Sequence, residues 1–285
     1  MRLEADTFLD NEFLNMTNQF NSIKINADKK EGAEITEQYH VNGFPTVIFV
    51  DKEGLEIDRI IGYVPPENFI SMVTDLLAGK NTIPALEKML ENNPNDFETI
   101  FKIAQKYMDR GEMEIAKPHF NNIINDAPKE MKYEIQSSHF SLAQLDLDNG
   151  DIAGLQKFIM QFPNSDQCFS AYQIIARFYT TENDTIAEVK ILKEMTEAFP
   201  GNANAMNSYA WRMTELKQNL EDALIKAKMG VELANEDMKP MILDTQAEVE
   251  WLLGDKEAAL HSIKEAIKLD ADNEYYLSQL ERFEE

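Results

Sequence analysis

The sequence predicts a mostly helical protein in three parts. A small α/β domain occupies residues 1–80, a linker helix residues 81–96, and an all-α solenoid residues 97–285. Three observations predict this. Strand-like segments are confined to the first eighty or so residues. Beyond Phe97 they vanish, and paired helical periods run to the end. Within those pairs small residues recur at a fixed spacing, as stacked helical repeats require.

Residues 1–6 read as a helical stub. Asp10 is placed to cap a helix through Phe20, with Phe13, Leu14 and Thr17 inward. Ser22-Ile23-Lys24-Ile25-Asn26-Ala27-Asp28 reads as a strand. Asp28-Lys29-Lys30-Glu31 reads as a turn, because it lacks the alternating oxygen ligands of a calcium loop. Residues 32–39 read as a helix. Gly43-Phe44-Pro45 then leads into Thr46-Val47-Ile48-Phe49-Val50, an uncharged run of β-branched and aromatic residues that predicts a buried strand. Pro45 cannot donate to a ladder, so it belongs at the strand's start. Asp51-Lys52-Glu53-Gly54 predicts a hairpin turn, and residues 55–62 the returning strand. Pro65-Pro66-Glu67 opens a helix whose inner face is Phe69, Met72, Val73, Leu76 and Leu77. Gly79 ends that helix. Pro84 opens the linker helix, with Leu86, Met89 and Leu90 apolar, and Asn92-Asn93-Pro94-Asn95-Asp96 closes it.

Five helix pairs follow, near 97–130, 131–166, 167–202, 203–237 and 238–273, with a capping helix carrying Tyr275, Tyr276, Leu280 and Phe283. The first pair carries Ile103, Ala104, Tyr107, Gly111, Ala116, Phe120 and Pro128. The last repeats the register with Ala247, Gly254, Ala259, Ile263 and Ala266, and Ala271 in place of the proline. The third keeps Ala176, Tyr179 and Pro200. Two pairs are irregular. Pro163 arrives early after Ala143 and Gly150, so the second helix of that pair is expected to be about a turn short. Ala210, Trp211 and Ala223 occur without a central glycine.

Composition narrows the function classes. With 44% apolar and 27% charged residues the chain has the make-up of a globular protein. Its net charge of −24 argues against nucleic acid and anionic membranes as partners. No apolar run approaches the length of a bilayer span, so membrane insertion is not expected. The single cysteine, Cys168, excludes an intrachain disulfide and says little about compartment. Beside Phe169, Ala171 and Tyr172 it reads as a small buried apolar residue. His40, His119, His139 and His261 show no metal-ligand spacing. No metal or cofactor is expected, and no carboxylate pair stands out for acid–base work.

Residues 7–79 resemble the second half of a thioredoxin-type domain. The landmarks are the strand at 22–28, the helix at 32–39, the Gly43-Phe44-Pro45-Thr46 corner, the hairpin, and Gly62-Tyr63 before the last helix. The resemblance implies a cis Pro45, with Phe44 and Pro45 meeting the backbone of a protein substrate. It also implies a Cys-x-x-Cys upstream of all these landmarks, and residues 1–8 resemble the tail of the redox helix. The expectation is therefore that Met1 is not the natural start and that the dithiol lies just before it. The strand before that motif would lie between residues 22–26 and Thr46–Val50. A sheet without it is expected to show a gap, a direct pairing, or a strand borrowed from another chain, which is a route to oligomerisation.

The helix pairs resemble tetratricopeptide repeats. The resemblance implies that the first helix of each pair lines a groove for protein or peptide partners. Matching positions are Phe101, Gln105, Gln173, Arg177, Ser208, Arg212, Asp244 and Trp251. Arg177 and Arg212 are the only cations among them, which does not support a clamp for a terminal carboxylate. Two functions remain open. One is part of a bacterial-type thiol–disulfide oxidoreductase whose repeats recruit partners. The other is a non-catalytic adaptor. The sequence as it stands has no dithiol and is expected not to reduce disulfides by itself.

Overall fold

The computed structural model of the protein describes residues 2–147 and 150–285. Met1, where the predicted stub begins, lies outside the described residues. Helices make up 68% of the described residues. The chain forms two compact units, Met1–Asn149 and Gly150–Glu285.

The first unit opens with α1 (Arg2–Ala5), α2 (Asn11–Met16) and a short 3-10 turn, Thr17–Gln19. Asp10 caps α2, its carboxylate accepting from the amides of Glu12 and Phe13 at 2.8 and 3.2 Å. The helix expected through Phe20 tightens at Thr17. Phe13 is buried, whereas Leu14 is exposed, contrary to expectation. Neighbouring helical residues point about 100° apart, so a six-residue helix turns only one of them inward.

Residues 22–26 do not form a strand. The alternation there is real, but a strand exists through its partner's hydrogen bonds, and among the described residues none pairs with this stretch. Ile23 is left 81% exposed. Helix α3 (Lys30–Gln38) starts inside the stretch read as a turn. Gly32 is required there, because a Cβ would lie 2.0 Å from the Asn26 carbonyl oxygen.

Strands β1 (Thr46–Val50) and β2 (Glu56–Ile61) pair antiparallel, Thr46 opposite Ile61 and Ile48 opposite Arg59, with an irregularity between Phe49 and Val50. The Asp51 carboxylate closes the turn by accepting from Glu53 and Leu55 amides at 2.9 and 2.8 Å. All three arrangements expected for the sheet presuppose a strand at 22–26; without it, β1 pairs with β2 alone among the described residues. Helix α4 (Pro66–Leu77) buries Phe69, Ile70 and Val73, while Met72 and Leu77 are exposed. Ile70 takes the inner place expected of Met72. Residues 69, 70 and 73 make one face (i, i+1, i+4), and a face wide enough for Met72 and Leu77 would circle most of the helix. These side chains form a core with Leu3, Phe13 and Ile60, and Val47 and Phe49 of β1 pack on it. Phe13 meets Phe69 edge-to-face at 5.4 Å.

Helix α5 (Ile83–Asn92), expected as a linker, packs on α6 and buries Ile83 and Leu86. Met89 is exposed there rather than inward. Helices α6 (Phe97–Asp109) and α7 (Met113–Asp126) make the first pair, and α8 (Lys132–Leu147) follows. Ala104, Ala116, Phe120 and Ile123 are buried between them.

The second unit opens with α9 (Ala153–Gln161), so the second predicted pair straddles the division between units. Helix α9 has 9 residues where α11 (Thr185–Ala198) has 14, the shortening that early Pro163 predicted. The unit continues with α10 (Cys168–Thr181), α12 (Ala203–Leu216), α13 (Leu220–Leu233), α14 (Lys239–Leu252), α15 (Lys256–Leu269) and α16 (Glu274–Glu284). Helix α10 packs on α11, α12 on α13 and α14 on α15, and α12 also reaches α14. Ala176, Ala210, Ala223, Ala247 and Ala259 are all buried at the close approaches their spacing predicted. Three of the pairs turn through a left-handed residue two places past their first helix. Gly111 (φ +76°) and Gly254 (φ +85°) supply it, and Asn183 (φ +57°) does so in the third pair. Where the central glycine is missing, Lys217 and Asn219 share the task at φ +51° and +52°.

Candidate functional site

The structure offers two candidate surfaces, one in each unit. In the first, the corner before β1 is held from both sides. The Thr46 hydroxyl donates to the Gly43 carbonyl at 2.7 Å, and the Gly62 amide donates to the Pro45 carbonyl at 2.7 Å. The Phe44–Pro45 peptide is cis, as the sequence led us to expect. Phe44 is 66% exposed, an uncommon state for a phenylalanine, and the strand it precedes is half-buried rather than buried as expected, having one neighbour in the sheet. Nearby segments are tied down: the Thr7 hydroxyl donates to the Val64 carbonyl at 3.0 Å, and the Tyr63 hydroxyl to Asp6 at 3.0 Å.

The hairpin carrying this corner is fastened to the first helix pair by buried charges that the sequence did not single out. The Arg59 side chain, 4% exposed, donates to both Glu56 oxygens at 2.7 and 2.5 Å. It also donates to the Tyr39 and Asp109 carbonyls, each at 2.7 Å. Lys106 of α6 meets Asp58 at 2.6 Å, and Arg110 donates to the Ile57 carbonyl at 2.8 Å. The one legible signal was three charges, Glu56, Asp58 and Arg59, within four residues of the returning strand.

Beside this clamp, His40 packs against Gly111. A Cβ on Gly111 would fall 2.8 Å from the His40 Cβ. His119 stacks on Tyr107 at 6.1 Å, and burial lowers its pKa. Neither histidine joins a metal cluster, and among the described residues no three His, Cys, Asp or Glu side chains converge to hold an ion. Among the described residues no helix is long and apolar enough to cross a membrane.

The eight groove positions fare differently. Phe101 lies in the core of the first pair, edge-on to Phe120 at 6.3 Å and to Tyr133 at 6.0 Å, so its ring is not offered to a partner. An aromatic ring on the first helix is spent on packing when a neighbouring helix covers it. Gln105, Gln173 and Arg177 face solvent, and Ser208 is half-buried. Arg212 is committed: it donates to Glu188 at 2.7 and 3.0 Å and to Glu215 at 2.9 Å, which raises its pKa. Trp251 is half-buried against Phe283 at 5.2 Å, with Lys256 over its ring at 5.6 Å. Asp244 is buried.

Sequence reasoning missed the polar groups inside the second unit. Glu188, 3% exposed, also accepts from the Thr180 hydroxyl at 2.6 Å. Glu250 accepts from Gln246 at 2.8 Å and from Ser262 at 2.7 Å, and the Tyr209 hydroxyl donates to Asp222 at 2.8 Å. The signal available was Glu188 standing in the apolar stripe with Ile191, Leu192 and Met195. Cys168 is buried, and burial pushes its thiol pKa up, away from the reactive thiolate.

Residues 2–77 match the family model described as a thioredoxin-like domain. The chain is similar to the chloroplast thioredoxin-like protein HCF164 of Oryza sativa subsp. japonica, 31% identical over 64 residues. That stretch is 22% of this chain and 24% of the rice protein. The HCF164 protein of Arabidopsis thaliana gives the same identity and the same shares. The chain thus spans about a quarter of the length of the curated relatives it matches. Among solved structures, YrrB, described as a TPR protein with an unusual peptide-binding site, aligns at a TM-score of 0.47 and 12% identity, over 68% of this chain and 96% of its own. MamA aligns at 0.35 and 16%, over 68% of this chain and 84% of its own. The thioredoxin-like match thus covers residues 2–77, and paired helices make up the rest of the described chain.

Proposed function

We propose that this chain is a protein-binding module in which the repeats take an extended segment of a partner protein. The observation that carries this reading is the row of side chains on the first helices of the second unit. Gln173 and Arg177 on α10 are exposed and Ser208 on α12 is half-buried, while the opposite sides of the same helices are packed on Ala171, Ile175, Ala205 and Met206. Helices ordered on one side, with uncommitted polar groups on the other, suit a peptide main chain that needs donors and acceptors. Arg177, unlike Arg212, has no ion-pair partner among the described residues and would take an acidic or carbonyl-rich stretch. Titration of the full chain against an array of unstructured peptides tests this. Binders should weaken at least tenfold in Arg177→Ala and Gln173→Ala, and peptides bound equally by both variants would remove the groove from the reading.

A second reading is that the chain is part of a thiol–disulfide oxidoreductase. The thioredoxin-like match and the exposed Phe44 favour it. Phe44 and Pro45 would then meet the partner's backbone, and the dithiol would have to come from outside this sequence. The chain alone should leave insulin-type disulfides intact in dithiothreitol. Turnover above background that persists in Cys168→Ser would show a reductase site in this chain. The open edge of β1 is where a second copy would pair, and sedimentation equilibrium showing only monomer would remove that role.

A further inference from the structure

We propose that α16 is a proton-controlled cap on α14, released when the buried Asp244 ionises. Asp244 lies on α14 and is 5% exposed, and its Oδ1 has no hydrogen-bond partner. Tyr275 of α16 offers the carboxyl a hydrogen bond, while the Tyr275 hydroxyl oxygen accepts from Gln279 Nε2 at 2.6 Å. The charged and titratable groups that act on Asp244 are Glu248, one turn along α14, and Tyr275 and Arg282 of α16, while Tyr276 of α16 feels its charge. Helices α12, α13 and α15 contribute none. The one cation in the set is already used: Nη1 and Nη2 of Arg282 both pair with Glu248, and its Cζ lies 4.6 Å from the centroid of the Phe283 ring. A carboxylate buried beside a second carboxylate, without a cation of its own, is held in its neutral form.

Burial first, and the Glu248 charge second, raise the Asp244 pKa to about 7. Helices α12, α13 and α15 also pack on α14, and α16, the last of the stack, brings Tyr275 and Arg282 to the carboxyl. Tyr276 and Phe283 of α16 share one buried cluster with Leu243 and Ala247 of α14 and Ala259, Ile263 and Ala266 of α15, and Phe283 meets Trp251. With α16 lifted, water reaches the carboxyl and its pKa returns to the ordinary 3.8. The sign follows. The docked state binds the proton more tightly, so docking is strongest below the ordinary value and is lost as pH rises through the raised one. Between pH 5 and 8 the docking constant falls about a hundredfold. Release uncovers Trp251 and Leu243, so the last position of the stack opens at neutral pH and closes in acid.

The test is hydrogen exchange of the full chain across pH 5–8, corrected for intrinsic exchange, with α14–α15 amides as the internal reference. In parallel, Trp211→Phe leaves Trp251 as the sole tryptophan, and its emission reports contact with Phe283. The expected result is opening of α16 that rises about a hundredfold from pH 5 to 8 while the reference amides stay protected. Asp244→Asn and Asp244→Leu should both be flat, with the cap closed throughout; exposed His261 is common to all three proteins. Equal protection of α16 at both pH values, the same dependence in the two Asp244 variants, or loss of protection shared by all helices of the unit would each overturn the proposal.

Discussion

Replacing Arg59 by methionine should loosen the hairpin from the first helix pair at a cost of about 4 kcal/mol. Methionine keeps much of the apolar stem and removes the guanidinium. Glu56, only 10% exposed, then keeps Arg110 alone as its cation at 3.3 Å. Breaking one side of a buried pair costs about 3–5 kcal/mol, because a desolvated charge is left behind. The Tyr39 and Asp109 carbonyls each lose a donor, at about 1–3 kcal/mol wherever water cannot replace it. The remaining Arg110 contact and water entering at the half-open Lys106–Asp58 edge offset part of that, which leaves the figure near the middle of the pair's range. Arg59→Lys should recover less than half, since one ammonium cannot serve a carboxylate and two carbonyls in different directions. In Glu56→Gln/Arg59→Met no unpaired carboxylate remains, so the double variant should be more stable than Arg59→Met alone. Two compact units need not unfold together, so the assay is hydrogen exchange at the β2 and α6 amides rather than one global transition. The effect should persist in 1 M salt, because buried pairs are poorly screened. A loss below about 1 kcal/mol for Arg59→Met, or one that disappears in salt, would refute the idea that these charges fasten the hairpin.

Gly111→Ala should destabilise the first unit by at least about 2 kcal/mol in the same exchange experiment, because the residue sits at φ +76° and its new Cβ would strike His40; Asn183→Gly, where φ is also positive but the native residue already tolerates it, should be neutral or slightly stabilising. Ala259→Glu should cost about 3 kcal/mol or more in the second unit and lower its thermal midpoint, since the site is fully buried against α14 and α16. Tyr209→Phe should cost about 1–2 kcal/mol by leaving Asp222 without its hydroxyl donor, and a circular dichroism melt unchanged within a degree would contradict it.

The repeats were legible in the sequence because their constraints are local. A small residue is required wherever two helices approach closely, and a left-handed residue wherever a pair turns back, so Ala104, Gly111, Ala247 and Gly254 announce themselves by spacing alone. The hairpin was legible for a similar reason, with Asp51 and Gly54 marking a turn between two β-rich runs. Local pattern alone therefore set the corner at Phe44 and Pro45 and the order and kind of the elements other than residues 22–26. Tertiary structure decided the rest. Residues 22–26 alternate like a strand, yet pairing depends on a neighbour that local pattern cannot supply. Phe101 and Gln105 occupy equivalent-looking helical surfaces, and only the rings of Phe120 and Tyr133 decide that one is core and the other solvent-facing. Arg59, Glu188 and Asp244 are ordinary charges on paper. Each acquires its role from what another element brings within reach: α6 and the end of α3 for Arg59, α12 for Glu188, α16 for Asp244. The physical reason is desolvation. It depends on which surfaces meet, and a chain's own pattern does not state which surfaces those are.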